Sequence, residues 1–270
     1  MKAAAFLAAL LLSTPAHAGL MSLNLCTDQF ALAFQSAGQK PLGVSFVAAD
    51  KALSLYVDRI GDTPQLRGTP EEIVLYKPDL VLMGQGQNPP LQAWLKAREI
   101  PIAALGSANS IADAQQQLRE FSTIWGKQSE AEALIAAQES AIQAAKFARP
   151  LRVAVYYARG FSDAGGTLFD EIIRRLGGVN IGAESGGQGM RYLSLESLVA
   201  LKPDLLIVPQ YDYGTTTTGE AMTSHPAFAA IGAEVVHIPG SYFTCPHLAL
   251  APLVQAIGAG GQAAQKRIEP

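Results

Sequence analysis

Eight aromatic side chains of this chain fall in segments that follow or border predicted strands: Phe46, Tyr157, Phe161, Tyr192, Tyr211, Tyr213, Tyr242 and Phe243. Loops are polar as a rule, and aromatics in them suit a binding wall because they join apolar area to a polar tip. Folding inward as core is the alternative for some of them. Arg67, Arg159 and Arg191 occur in the same class of segment. A guanidinium fork pairs with carboxylate, phenolate or hydroxamate oxygens, although each arginine taken singly can be a solvated loop charge. Gln85, Gln87, Asn88 and Gln210 add neutral hydrogen-bonding groups. Phe46, Arg67, Tyr157, Arg159, Arg191, Tyr192, Tyr211, Tyr213 and Tyr242 are therefore the candidate ligand contacts. Together they suit an anionic, partly aromatic chelate.

Other chemistries find little support. The sequence contains no GxSxG, P-loop, HExxH, CxxC or EF-hand pattern. Gly165-Gly166-Thr167 lacks dinucleotide spacing and reads as a glycine turn. His225, His237 and His247 all lie in the second half of the chain. A site for a bare transition metal between two halves usually draws imidazoles or carboxylates from both sides, so no dedicated metal site is expected. His247 reads as a helix-start residue before a lone ligand.

The N-terminus suggests export. Lys2, the apolar run over residues 3–12 and Ala16-His17-Ala18 fit a secretory signal peptide over residues 1–18. The run is too short for a membrane-spanning helix, and no lipobox cysteine stands at the cleavage position. Without those 18 residues, 252 remain, with 19 basic and 23 acidic side chains after Lys2 is subtracted from the 20 basic ones, a net charge of −4. That balance gives no sign of nucleic-acid binding. Cys26 and Cys245 are the two cysteines. In an oxidising compartment they can pair; two separate buried thiols are the alternative.

These residues need elements to position them, and a repeat shows how those are arranged. Residues 69–82, TPEEIVLYKPDLVL, match residues 194–207, SLESLVALKPDLLI. Glu71 aligns with Glu196, Val74 with Val199, and Lys77-Pro78-Asp79-Leu80 with Lys202-Pro203-Asp204-Leu205. The spacing is too wide for a solenoid and suggests two similar α/β lobes with a cleft between them. Each copy starts a helix at a capping Thr or Ser, ends it before proline, and enters a buried strand. Strands and helices alternate before and after, which predicts mostly parallel sheets with ligand at the carboxyl ends of the strands. Residues 128–148 form the least interrupted helical stretch. They read as an amphipathic helix of one lobe or as a rigid connector. The last helix is expected over residues 248–258.

The opening Ser22-Leu23-Asn24-Leu25-Cys26-Thr27-Asp28-Gln29, both Lys-Pro-Asp-Leu repeats, Leu176-Gly177-Gly178-Val179-Asn180 and the long helix occur in an order that resembles the periplasmic substrate-binding proteins of ABC importers for ferric siderophores, haem and vitamin B12, the helical-backbone type. The resemblance covers essentially the whole chain after residue 18. It implies an α/β fold of two Rossmann-like lobes joined by one long spine helix, with limited closure of the cleft. The lobes would cover residues 19–126 and 150–270, with the spine over 127–149. It also implies a periplasmic monomer that is not an enzyme, has no cofactor of its own, and works with the transmembrane subunits of a permease. One surface glutamate per lobe would dock there: Glu71 and Glu196, which can also stabilise their helix N-termini. The ligand does not carry over by motif. The arginines favour a ferric siderophore; cobalamin or another corrinoid, and haem with Tyr211, Tyr213 or His247 as axial ligand, are the alternatives. A metallocluster enzyme or hydrolase on a similar scaffold is the remote one.

Overall fold

The computed structural model describes residues 19–184, 186–213, 228 and 231–268. The expected leader over 1–18, His225 and most of the helix expected over 225–231 lie outside the described residues.

The first lobe is a parallel sheet. Strands β1 (Leu20–Ser22), β4 (Leu80–Gly84) and β5 (Ile102–Leu105) pair in the order β1-β4-β5. Strands β2 (Val44–Ser45) and β3 (Gln65–Leu66) pair beside them, and a parallel bridge from Met21 to Gly43 joins the two sets. The spatial order is thus β3-β2-β1-β4-β5, the order of the first five strands of a Rossmann fold. Gly43 is required at the join, because a side chain there would collide with Leu66.

In the second lobe β11 (Glu234–Pro239), β10 (Leu205–Gln210), β6 (Arg152–Tyr157) and β8 (Val179–Asn180) repeat the parallel pattern. This sheet has an addition that the alternation did not predict. Strands β7 (Phe161–Asp163) and β9 (Met190–Tyr192) extend it antiparallel from the end of β6.

The repeat explains itself in the structure. Helices α2 (Pro70–Tyr76) and α7 (Leu195–Leu201) start at Thr69 and Ser194, whose hydroxyls accept the N–H groups of Glu72 and Ser197. At Thr69 the Glu72 side chain returns the bond, a capping box worth about 1 kcal/mol. Both helices end on a lysine in the left-handed conformation, φ 48° at Lys77 and 47° at Lys202. The proline that follows has no N–H to continue the helix. The aspartate then clasps the first strand of its lobe. Asp79 donates its N–H to Gly19 O at 2.7 Å and accepts Gly19 N at 3.1 Å. Asp204 does the same with Arg152, at 2.8 Å and 2.7 Å. Lys-Pro-Asp-Leu is therefore a folding element: it turns a helix into a strand and sets that strand beside the lobe's first one.

Between the lobes runs α5 (Gln128–Ala144), shorter at its end than the expected 128–148. At 1.5 Å per residue it is roughly 25 Å long. Ala131 and Ile135 belong to the core of the first lobe, with Phe30, Leu82, Leu118 and Trp125. Ile142 and Ala145 belong to the core of the second, with Val153, Ile173, Leu205 and Leu253. One helix thus contributes to both cores.

It is not the only tie. The last helix, α9 (Pro246–Ile268), is longer than the expected 248–258. Its start meets the first lobe through Leu248, and its body packs in the second. Gly258, where the helix was expected to end, and Gly261 lie inside it. A side chain at Gly258 would come within 2.6 Å of Ala145, and one at Gly261 would overlap the Phe147 ring. The glycines let α9 approach the end of α5, an advantage that outweighs their poor helix propensity. No described helix is long and apolar enough to cross a membrane.

One buried acid makes a prediction. Helix α1 (Leu25–Phe34) is capped by Asn24. Asp28 instead points inward and accepts the Ser45 N–H at 3.1 Å and the Ser45 hydroxyl. Burial pushes its pKa up to about 7, against the opposing hydrogen bonds from Ser22 and Ser45. The unfolded chain ionises this group near 4, while the fold holds the proton. Its contribution to stability is full below pH 4 and is lost as pH rises to about 7. Asp28→Asn removes the slope. The stability of Asp28→Asn relative to the parent should therefore rise by about 1.4 kcal/mol per pH unit between pH 4 and 7. Urea unfolding across that range measures it, and parallel profiles would refute the assignment.

Candidate functional site

A cavity of about 690 Å³ opens at the carboxyl ends of the strands of both lobes. The first lobe supplies Asn24 after β1, Gly84–Gly86 from the end of β4 and Ser107–Asn109 after β5. The second supplies Tyr157 at the end of β6, Asp163 from β7, Met190 from β9, and Phe243 and Thr244 from the short helix α8 (Ser241–Thr244). Cys26 and His247 stand at its base.

Each polar group is held by local structure. The Asn24 carbonyl oxygen accepts Cys26 N at 3.0 Å, which leaves its amide N–H₂ toward Gly84. Gln87 staples the first two loops together: its Oε1 accepts Gly84 N and its Nε2 donates to Leu23 O. Asn88 caps α3 (Pro89–Lys96). These two are scaffold residues, while Gln85 lines the cavity.

The aromatic wall belongs to the second lobe. Tyr157 meets Phe243 edge to face at 6.0 Å, and Phe243 stacks on Phe169 at 4.8 Å. The Tyr157 hydroxyl donates to Asp163 Oδ2 at 2.7 Å. Burial raises the Asp163 carboxyl above the usual range, with hydrogen bonds from Tyr157 and Thr167 opposing and the nearby Asp170 adding to the rise. The Tyr157 phenol is raised too, first by burial and then by Asp163. The pair presents a hydrogen-bonded phenol and acid to the ligand space.

At the base, His247 Nε2 lies 2.6 Å from Gln117 Oε1 and therefore carries the proton, while Gln138 Nε2 binds the His247 carbonyl at 2.7 Å. Burial lowers its pKa to about 4. The fold keeps His247 neutral, so stability falls as pH drops from about 6.5 toward 4, opposite in sign to Asp28. Cys26 and Cys245 are joined in a disulfide with Cα atoms 5.3 Å apart. It links the start of α1 in the first lobe to the residue between α8 and α9.

Of the nine candidate ligand contacts, Tyr157 lines the cavity. Tyr192 lies on the same face of β9 as Met190, exposed and edge-on to Phe161 at 6.2 Å. Arg191 alternates to the opposite face, beside Gly187. Arg159 sits exposed in the β6–β7 turn in a left-handed conformation, φ 67°. Phe46 is exposed at the end of β2, behind the Ser45 that Asp28 holds. Arg67 follows β3, and its backbone N–H reaches Glu72. Tyr211 and Tyr213 stack at 6.5 Å, and Tyr211 packs over Gly240. Tyr242 packs on the second core. Among the described residues no lysine or arginine lines the cavity, and no group of three or more His, Cys, Asp or Glu is placed to hold a metal ion. Sequence reasoning passed over Asn24, Ser107, Asn109 and Asp163. Asn24 stood within the opening motif; Asp163 carried no signal, because β7 was not foreseen.

Two lobes on one spanning helix, with a cleft at the strand ends, define a ligand-binding protein. The periplasmic binding protein family model matches residues 47–235, and the chain belongs to that family, whose members bind solutes in the periplasm. No curated protein matches. Among solved structures, the apo periplasmic haem-binding protein RhuT from Roseiflexus sp. RS-1 is 23% identical, with TM-score 0.66 over 91% of this chain and 100% of that one. A periplasmic binding protein from Veillonella parvula has TM-score 0.70 at 17% identity, over 91% and 93%. A periplasmic haem-binding protein from Pseudomonas aeruginosa has TM-score 0.64 at 18% identity, over 90% and 93%.

Proposed function

We propose that the chain captures a planar metal tetrapyrrole, haem or a corrinoid, in this cleft and delivers it to an ABC importer. The lining of the cavity carries the reading. An aromatic wall faces amide and hydroxyl groups and the Asp163 carboxyl, and the described lining contains no cation, so charged groups of the ligand, the propionates of a haem included, would stay at the rim. Aromatic faces and neutral hydrogen-bonding groups suit a flat, conjugated ligand. Two of the similar structures are of haem-binding proteins by name, which supports the class. A ferric siderophore is the second reading: Arg67 and Arg159 follow strand ends on the cleft side, where an anionic ligand larger than the cavity would meet them. Both readings are of a binding protein with no chemical step.

Delivery needs a docking face. Glu71 and Glu196 occupy the same position in the first turns of α2 and α7, one on each lobe, and both are exposed. We assign them to basic groups on the membrane subunits.

Titration of intrinsic fluorescence with haemin, cyanocobalamin and a ferric siderophore panel tests the ligand. Saturable quenching by a tetrapyrrole is expected. Quenching by siderophores alone establishes the second reading, and no quenching by any of them overturns both.

A further inference from the structure

The docking glutamates do not stand alone. Three and four residues after Glu71 come Val74 and Leu75, which are 60% and 72% exposed. Three and four residues after Glu196 come Val199, 38% exposed, and Ala200, also exposed. At 3.6 residues per turn, each set shares one outward face of its helix. The opposite faces are buried through Ile73 and Leu198. An exposed leucine or valine taken singly needs no explanation. An acid followed by the same apolar spacing on equivalent helices of both lobes calls for one.

Local folding does not supply it. The repeat's folding work is done by the helix caps, the buried Ile73 and Leu198, and the Asp79 and Asp204 clasps. None of these uses the side chain of Val74, Leu75, Val199 or Ala200. The two faces also differ: the first presents valine and leucine, the second valine and alanine. A partner that covers both must present two like surfaces, each with a basic group beside an apolar patch, and must bury more apolar area on the first lobe.

We infer that Val74 and Leu75, with Val199 and Ala200 as the weaker counterpart, are apolar contacts for the paired membrane subunits of the importer, placed beside the salt bridges of Glu71 and Glu196. This rests on the docking role assigned to those glutamates and adds where the affinity arises. Exposed ion pairs add little and are weakened by salt. Apolar contact is insensitive to such screening, and it makes the first lobe the stronger half of the interface.

The test uses the full chain and its importer reconstituted in nanodiscs, with ATPase stimulation read against binding-protein concentration. Val74→Ala with Leu75→Ala introduces the best helix former and removes only exposed side chains. Its half-maximal concentration should rise about tenfold, with ligand affinity unchanged, and the rise should persist at high salt. Val199→Ala should shift it less. If Glu71→Arg with Glu196→Arg abolishes stimulation while the Val74 and Leu75 double variant titrates like the parent, the apolar contact is refuted and the glutamate docking stands. If the charge reversal itself changes nothing, the docking role fails and this inference fails with it.

Discussion

Removing the Cys26–Cys245 bridge, by alanine at both positions, should lower the unfolding free energy by about 3–5 kcal/mol. The two cysteines are 219 residues apart. Closing so long a loop in the unfolded chain costs about 5 kcal/mol in the chain-entropy limit, and measured effects usually fall below that limit. The bridge also does something local. It holds the first turn of α1 against the start of α9, beside His247 and its bonds to Gln117 and Gln138. Cys26 lines the cavity, so loosening this corner should weaken ligand binding as well as the fold. Urea unfolding of the double variant beside the parent gives the first number, and a ligand titration the second. A loss of stability under about 1 kcal/mol would mean that α5 and α9 hold the lobes together without the bridge.

Reversing Glu71 and Glu196 to arginine should abolish stimulation of the importer's ATPase while ligand affinity stays at the parent value. Two attractive contacts become repulsive at once, which is why the effect exceeds that of any neutral change. The fold should survive, because the glutamates are solvent-exposed and neither occupies a capping position; those are held by Thr69 and Ser194. Glu196 has its carboxyl held below the usual range by its own backbone N–H and the Ser194 hydroxyl, so it is charged wherever the importer works. The single reversals should each give partial loss, since one lobe would still dock. Stimulation equal to the parent's in the double variant would remove the docking role.

The two-lobed plan was legible because its signals are local. The matched segments at Thr69 and Ser194 encode a cap, a proline stop and an aspartate clasp, all set by neighbours a few residues away. The cavity was less legible. β7 and β9 are three residues each, and their pairing depends on where β6 ends. Without that pairing, nothing in the sequence put Asp163 beside Tyr157 or turned Arg191 away from Met190. Alternation along β9 sends neighbouring side chains to opposite faces, so Tyr192 and Arg191 could not both face the cleft. The last helix was expected to stop at Gly258 for a related reason, although that glycine and Gly261 lie within it. Their role is to admit Ala145 and Phe147 from more than a hundred residues away, and a propensity scale registers only their cost to a helix.

On the proposed function, ligand occupies the cavity between the lobes. Ser107 is an exposed loop residue on its wall, so Ser107→Trp fills the space without disturbing either core. Titrated with the tetrapyrrole that quenches the parent protein, this variant should bind at least about a hundredfold more weakly and unfold at the parent's urea midpoint. Unchanged affinity in the folded variant would place the ligand outside this cavity.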